Sequence, residues 1–374
     1  MTEKATLHTT ALYALHQDLG ARLVPFAGYS LPVQYLGGII AEHLHTRRAA
    51  SLFDVSHMGQ ITVTGPAAQQ ELESLMPVDL ASLATGQACY ALLTNDRGCV
   101  EDDLIVTRIA DDSFWLVVNG ACKVQDLALL ERGCSTSAVT LNEQQALLAL
   151  QGPEARGILA ARVPAIATLP FMHSLEAPLA GVPCRISCSG YTGEDGFEIA
   201  LAAADAEPVA RALLADNEVA MAGLGARDSL RLEAGLCLYG HELRADVTPL
   251  EAGLQWAIHR SRRAAGSRPG GYPGAAILDR QFADGVDRRR VGLLAMGKRP
   301  VREGQRIVSS DGLPLGEVTS GGFGPSVDAP IAMGFVSRDV SAPGTELAVE
   351  VRGTTLAVTV APLPFVPQRY YRGK

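Results

Sequence analysis

The sequence predicts an α+β protein of two or three domains that ends in an all-β unit. Three observations carry this. The chain has 374 residues, too many for one ordinary core. A strand, a Gly-Pro pair, a helix and a hairpin occur in that order twice, first from Gln60 and again from Leu148. Beyond a segment rich in Arg, Gly and Pro at 260–273, the pattern changes to short β runs.

Composition narrows the class. Hydrophobic residues make up 47% of the chain, ample for buried cores. A net charge of −8 argues against non-specific nucleic-acid binding, which needs a basic footprint. Residues 1–6 show no apolar signal core and no Arg- and Ser-rich leader, and no apolar run is long enough to span a bilayer. A cytoplasmic chain with no membrane partner is expected. The seven cysteines (Cys89, Cys99, Cys122, Cys134, Cys184, Cys188 and Cys237) are scattered without a C-x-x-C pair. That argues against a zinc or redox site and fits reduced, buried thiols.

The elements follow in order. Leucines at 7, 12, 15 and 19 predict a helix over 6–19, ended by Gly20. Pro25 and Gly28 break the stretch 23–29. A second helix covers 39–50; its His43 and His45 lie on different faces and do not share a metal. Residues 51–59 read as a loop. A strand follows at 60–64, then a helix opened by Pro66 and running to about Met76. Residues 87–93 are strand-like, and 102–108 pairs with 113–119 as a hairpin.

The second copy starts with the strand 148–151, Gly152-Pro153 and a helix over 154–161. Its hairpin, 184–188 against 197–201, turns through a segment with three glycines, more than a turn needs. Alternation puts Glu198 on the face opposite Phe197 and Ile199. If the copies are equivalent, Asp103 and Glu198 occupy comparable hairpins and face one cleft. A helix over 226–238, closed by Gly240, carries Arg227 and Arg231 on one face, with Asp228 and Glu233 as their solvated partners. Short strands at 291–295, 316–319, 331–336 and 346–351 predict a small barrel or sandwich.

Several site types are excluded. Residues 223–228 form half of a dinucleotide loop, but the third glycine is missing and no apolar strand immediately precedes it. There is no Walker A sequence and no G-x-S-x-G elbow. His57 is a candidate acid or base and equally a structural hydrogen-bonding residue. What remains is a constellation: Asp103, Tyr191, Glu198 and Arg227, with Tyr90 and Asn119 nearby. A carboxylate pairs with an amino-pyrimidine edge, a tyrosine stacks on a ring and an arginine takes a carboxylate. These groups suit a flat polar heterocycle with an acidic tail; the residue types alone suit other ligands too.

Longer motifs sharpen this. Gly190-Tyr191-Thr192-Gly193-Glu194-Asp195-Gly196-Phe197-Glu198, Phe53-Asp54-Val55-Ser56-His57-Met58-Gly59, Asp102-Asp103-Leu104, the run 223–235 and Thr319-Ser320-Gly321-Gly322-Phe323 resemble the glycine cleavage system T-protein family, the aminomethyltransferases. The likeness runs from about Leu7 to Tyr371. It implies a three-domain cloverleaf: two mixed α/β domains around a folate site and a C-terminal β-barrel. Residues 1–262 would be the folate-binding region, its second domain interleaved at roughly 52–137; 263–285 would be a linker and 286–374 the barrel. It also implies the reaction. The methylene carbon of an aminomethyl group on the lipoyl arm of H-protein passes to tetrahydrofolate; ammonia leaves and 5,10-methylenetetrahydrofolate forms.

Carried over position by position, the resemblance makes Asp103 the catalytic carboxylate. It gives Glu198 and Tyr191 the pterin, Arg227 and Tyr370 further substrate contacts, and Met58, Tyr90, Asn119 and Trp256 the lining. Cys99-Val100-Glu101 departs from the usual Gly-Ile-Leu run; Glu101 is expected to face solvent, and would favour protonation of a neighbouring acid only if it pointed inward. The chemistry needs a carboxylate at Asp103, because losing ammonia leaves a cationic carbon that a fixed anion stabilises. The arginines at 260, 262, 263 and 268 suggest a patch for an acidic carrier protein. Two other readings remain open: a stand-alone folate-dependent demethylase, and a folate-binding iron–sulfur assembly factor. The latter branch carries Lys-Gly-Cys-Tyr-x-Gly-Gln, which residues 235–240 do not match.

Overall fold

A computed structural model describes residues 6–373 and shows three units gathered around one helix, Leu224–Glu233. Of the expected leader-free stretch 1–6, only Thr6 lies within the described residues. The first unit opens with helix α1 (Tyr13–Asp18), strands β1 (Arg22–Phe26) and β2 (Tyr29–Gln34), helix α2 (Gly38–Arg48) and strand β3 (Ala50–Asp54). Helix α1 starts at Tyr13 rather than Thr6, because His8 bridges to Tyr29 beside the hairpin. The stretch 23–29 is that hairpin, not a mere break. Ala27 (φ 47°) and Gly28 (φ 81°) make its two-residue turn, which needs φ > 0 at both positions. Ala50, expected as the last helical residue, and 51–54, expected as loop, form β3; every residue of it is buried, so no alternation marks it.

The second unit holds β4 (Gly59–Thr64), α3 (Ala68–Leu75), β5 (Ala88–Thr94), β6 (Val100–Ala110), β7 (Ser113–Val118), α4 (Lys123–Gly133) and β8 (Ala138–Leu141). Its antiparallel sheet runs β5-β6-β7-β4-β8, and α3 and α4 cover one face over Leu72, Leu104, Val106 and Leu130. The chain then returns to the first unit with β9 (Gln145–Gln151), α5 (Ala155–Ala160), β10 (Ser174–Leu179), β11 (Val182–Ser187), β12 (Gly196–Ala202), α6 (Ala206–Leu214), β13 (Val219–Met221) and α7 (Leu224–Glu233). That sheet runs β10-β11-β12-β9-β3-β13.

The duplication is visible in space. Both sheets place a three-strand meander beside the strand that precedes Gly-Pro. The Gly65 amide donates to the Asp112 carbonyl just before β7; the Gly152 amide donates to the Asp195 carbonyl just before β12, both at 2.9 Å. Asp103 and Glu198 are nevertheless not equivalent: Asp103 lies on β6, whereas β12 corresponds to β7. They still face one layer. The sheets meet over Phe53, Trp115, Val117, Leu147, Ala149 and Ala200. Asp103 shares its face with Ile105, the partner of Val117, and Glu198 pairs with Ala149.

Helix α7 packs against this layer through Ala226 and Leu230. It closes at Gly235 (φ 67°), not at Gly240. The Gly235 amide donates to Leu232 O at 3.1 Å and the Leu236 amide to Arg231 O at 3.0 Å, the two bonds of a Schellman end. The helix face read as solvated is largely buried. Arg231 is 2% exposed, pairs with Glu242 at 2.9 Å and Asp228 at 2.8 Å, and donates to Ser320 at 2.8 Å. Glu233 instead takes His43 and Arg47, which reach it from α2. A short strand, β13, does precede the helix; three residues are too few to show in the pattern.

The segment read as a flexible linker carries helix α8 (Ala275–Asp284). Three of its arginines, Arg262, Arg263 and Arg268, are engaged with protein partners. Arg262 is 5% exposed and donates to the carbonyls of Glu73 and Val78, while Arg268 pairs with Glu73 and Asp79 of the second unit. The third unit is a closed barrel of β14 (Arg288–Ala295), β15 (Arg306–Val308), β16 (Pro314–Gly324), β17 (Ala329–Ser337), β18 (Glu346–Val351) and β19 (Thr354–Ala361). All seven cysteines are free thiols, and only Cys89 is not fully buried. Among the described residues no helix is long and apolar enough to cross a membrane.

Candidate functional site

Adjacent acids on a strand point to opposite faces, and the pair on β6 uses this. Asp102 points into the helix-covered side and is fully buried. Asp103 points into the layer between the sheets and is half-buried. Asn119, just past β7, holds both. Its Nδ2 donates to Oδ1 of Asp102 at 2.8 Å and to Oδ1 of Asp103 at 3.0 Å, and its backbone amide donates to Oδ2 of Asp102 at 3.1 Å. Tyr90 on β5 donates its hydroxyl to Oδ2 of Asp103 at 2.9 Å. Burial, then the charge of Asp102, pushes Asp103 up to about 7, although the bonds from Tyr90 and Asn119 act the other way. A carboxyl poised there can hold or release a proton at neutral pH.

The opposite wall comes from the first unit and α7. Tyr191 donates its hydroxyl to the Cys237 carbonyl, and the Arg227 guanidinium lies 4.7 Å from its ring centroid. Burial and then the charge of Asp103 help raise the Tyr191 phenol, so it stays neutral. Arg227 is held below its ordinary range by burial, with Glu198 acting against that. Glu198 accepts from Ser189 through Oε2 at 2.6 Å, which leaves Oε1 without a partner among the described residues. The helix amide at Gly223 is taken by Glu42 at 2.9 Å, so it is not an anion site. His57 is 3% exposed, and burial followed by the Arg227 charge drives it down to about 4. It is therefore a neutral imidazole, and its Nδ1 has no partner among the described residues.

Three remaining expected residues sit further out. Trp256 is 60% exposed, its ring 5.2 Å from that of Tyr90, at the mouth. Met58 packs on the layer between the sheets. Tyr370 stacks on Phe171 at 4.1 Å, beside the Gly-rich turn, and makes no hydrogen bond or ring contact with the Asp103 group. Glu101 does not hang free in solvent: it accepts from Asn95 at 2.7 Å and Gln125 at 3.0 Å. Sequence reasoning missed two groups. Lys123 donates to the Tyr29 hydroxyl at 2.6 Å and joins the hairpin β1–β2 to α4 near His57. Asp126, in the first turn of α4 and fully buried behind Asp102, lies in a helix that the sequence reading did not single out. No group of three or more His, Cys, Asp or Glu among the described residues is arranged to hold a metal.

The unpartnered groups define what fits here. Arg227, one oxygen of Glu198 and Nδ1 of His57 lack protein partners, and Asp103 is only half-buried. Buried polar groups are ordinarily satisfied, so a polar, hydrogen-bonding ligand that also stacks on an aromatic ring suits this set. Known proteins agree in sequence and shape. Residues 12–262 match the family model described as the GCVT N-terminal domain, and residues 288–367 match the glycine cleavage T-protein C-terminal barrel domain. The mitochondrial aminomethyltransferase of Gallus gallus is 46% identical, covering 98% of this chain and 95% of its own length. That of Flaveria trinervia is 41% identical over 99% and 92%. The crystal structure of glycine cleavage system aminomethyltransferase T from Bartonella henselae superposes with a TM-score of 0.93 at 44% identity, over 98% of this chain and 100% of that one. On these matches, the chain belongs to the glycine cleavage T-protein family of aminomethyltransferases.

Proposed function

We propose that this protein is the aminomethyltransferase of a glycine cleavage system, with tetrahydrofolate as co-substrate and the lipoylated H-protein as donor. The single observation that carries the proposal is Asp103. It is a half-buried carboxyl fixed by Tyr90 and Asn119 and raised to about 7, facing Tyr191, Arg227 and Glu198. Glu198 offers a free oxygen to the amino edge of a pterin, Tyr191 offers a ring, and Arg227 offers a charge-assisted contact. Tetrahydrofolate, when bound, supplies the nitrogen that takes the methylene carbon.

Asp103 faces the reacting carbon as ammonia departs and opposes the positive charge that develops there. Its proton exchanges near neutrality, so it can also take a proton from the attacking nitrogen. Asn119 and Tyr90 keep its two oxygens from turning away. We place the reaction in the cytoplasm on the strength of the free thiols, while the eukaryotic relatives bear the name mitochondrial. The test mixes the protein with tetrahydrofolate and an aminomethyl-lipoyl carrier. Ammonia and 5,10-methylenetetrahydrofolate should form in equal amounts. Absence of both, with a folded protein and a competent carrier, would overturn the reading.

A further inference from the structure

Behind the working face of β6 lies a group with no evident task. Asp126 sits in the first turn of α4, fully buried, and neither of its carboxylate oxygens has a hydrogen-bond partner among the described residues. Its surroundings are acidic. Asp102 shares its side of β6, the charges of Glu101 and Asp103 reach it from the other side of that strand, and Cys122, in the turn before α4, and Tyr239, after α7, lie near it. No cation is among them. Lys123, three residues back on the same helix, gives its ammonium to the Tyr29 hydroxyl. A bare carboxylate in such a place is strongly unfavourable.

One proton resolves this. Two carboxylates are both acceptors and cannot bond each other; with a proton on one, the contact becomes an O–H donated to an O⁻. Asp102 is the receiving side, because the backbone amide and Nδ2 of Asn119 already donate to it. The same Nδ2 reaches Asp103. We propose that Asp126 stands protonated and positions Asp102 by donating a hydrogen bond to it, so that the chain Asp126–Asp102–Asn119 fixes the carboxyl of Asp103. The inference rests on Asp103 being the working acid.

Burial comes first, and then the contact with Asp102 and the charges of Asp102, Asp103 and Glu101; together they push Asp126 up to about 10. A helix N-terminus ordinarily favours an ionised acid, but here the buried carboxylates outweigh it. A neutral Asp126 leaves Asp102 as the nearest charge acting on Asp103.

Two variants test this. Asp126→Asn keeps a donor and stays neutral. It should hold turnover within about threefold and leave the pH midpoint of turnover in place. Asp126→Leu removes the donor and should lower turnover about tenfold and move that midpoint. A downward shift of about one unit in the Asn variant would show that Asp126 carried a negative charge, and would overturn the proposal. Equal, unshifted profiles in both variants would reduce Asp126 to packing and also overturn it.

A second readout needs no activity, so it separates this inference from the proposed reaction and survives a poorly folding Leu variant. The native acid keeps its proton up to about 10, whereas an unfolded Asp loses it near 3.9. Between those values the native state binds the extra proton, so stability falls as pH rises. Asn removes that slope. The difference in melting temperature, Asp126→Asn minus the parent, should grow from pH 6 to pH 9, a span of about three units. A flat difference would mean an ionised Asp126 and overturn the proposal.

Discussion

Tyr90 and Asp103 are diagonal neighbours across the β5–β6 pair, and the Tyr90 hydroxyl donates to Oδ2 of Asp103 at 2.9 Å. The bond favours the ionised acid, against the burial and the Asp102 charge that raise it. Tyr90→Phe should therefore move the pH midpoint of turnover upward from near 7, by about half a unit to one unit. A pH–rate series on the variant checks the direction. A downward move would mean the bond favours the protonated form.

Replacing Asp103 itself separates binding from chemistry. Asp103→Asn keeps the shape and can keep the bond from Asn119, with the Tyr90 hydroxyl turned to accept from the new amide, but loses the anion. Folate affinity should stay within a few-fold, and turnover should drop by about a hundredfold or more. Calorimetric folate titration beside a product assay reads both. Unchanged turnover would take the catalytic role from Asp103.

Arg227 stands on α7 over the Tyr191 ring without a hydrogen-bond partner among the described residues. Arg227→Met should weaken folate binding by about 1.5–3 kcal/mol, the worth of a charge-assisted bond. It should leave the melting temperature unchanged or raised, because an unpaired, partly buried cation is removed. A large loss of stability with intact binding would make Arg227 a structural residue.

Arg262→Ala addresses the basic segment. The side chain is 5% exposed and ties that segment to the carbonyls of Glu73 and Val78. Its loss should cost about 3 kcal/mol, as for other broken buried charge contacts. Chemical denaturation measures this. A neutral effect would return the segment to the status of a solvated loop.

Two glycines make a matched pair. Gly152 has φ +134°, and a Cβ there would lie 2.1 Å from the Ala49 carbonyl oxygen. Gly157 in α5 has nothing within 4 Å of that position. Gly152→Ala should destabilise by about 3 kcal/mol, whereas Gly157→Ala should stabilise by about 0.5–1 kcal/mol. Melting curves of the two variants should shift in opposite directions.

The sequence by itself determined a good deal. Alternation and turn residues placed the hairpins β6–β7 and β11–β12 and four of the six barrel strands, β15 and β19 being missed, and the repeated Gly-Pro units marked a duplication that both sheets display. The motifs placed Asp103 and Asn119 together because strand pairing is local and register follows the pattern. Elements without a pattern stayed hidden: β3 is buried throughout, and β13 is three residues long. Only the tertiary structure decided which charges are free. Arg231, Arg262 and Glu233 look like surface groups in the sequence, yet each is buried against a partner far along the chain, Ser320, Glu73 and His43 in turn. Asp126 is the sharpest case. No motif or pattern marks it in the sequence, and its surroundings are set by β6, where Asp102 points away from the cleft and Asp103 into it. Burial and neighbouring charge are properties of packing, so no window of sequence contains them.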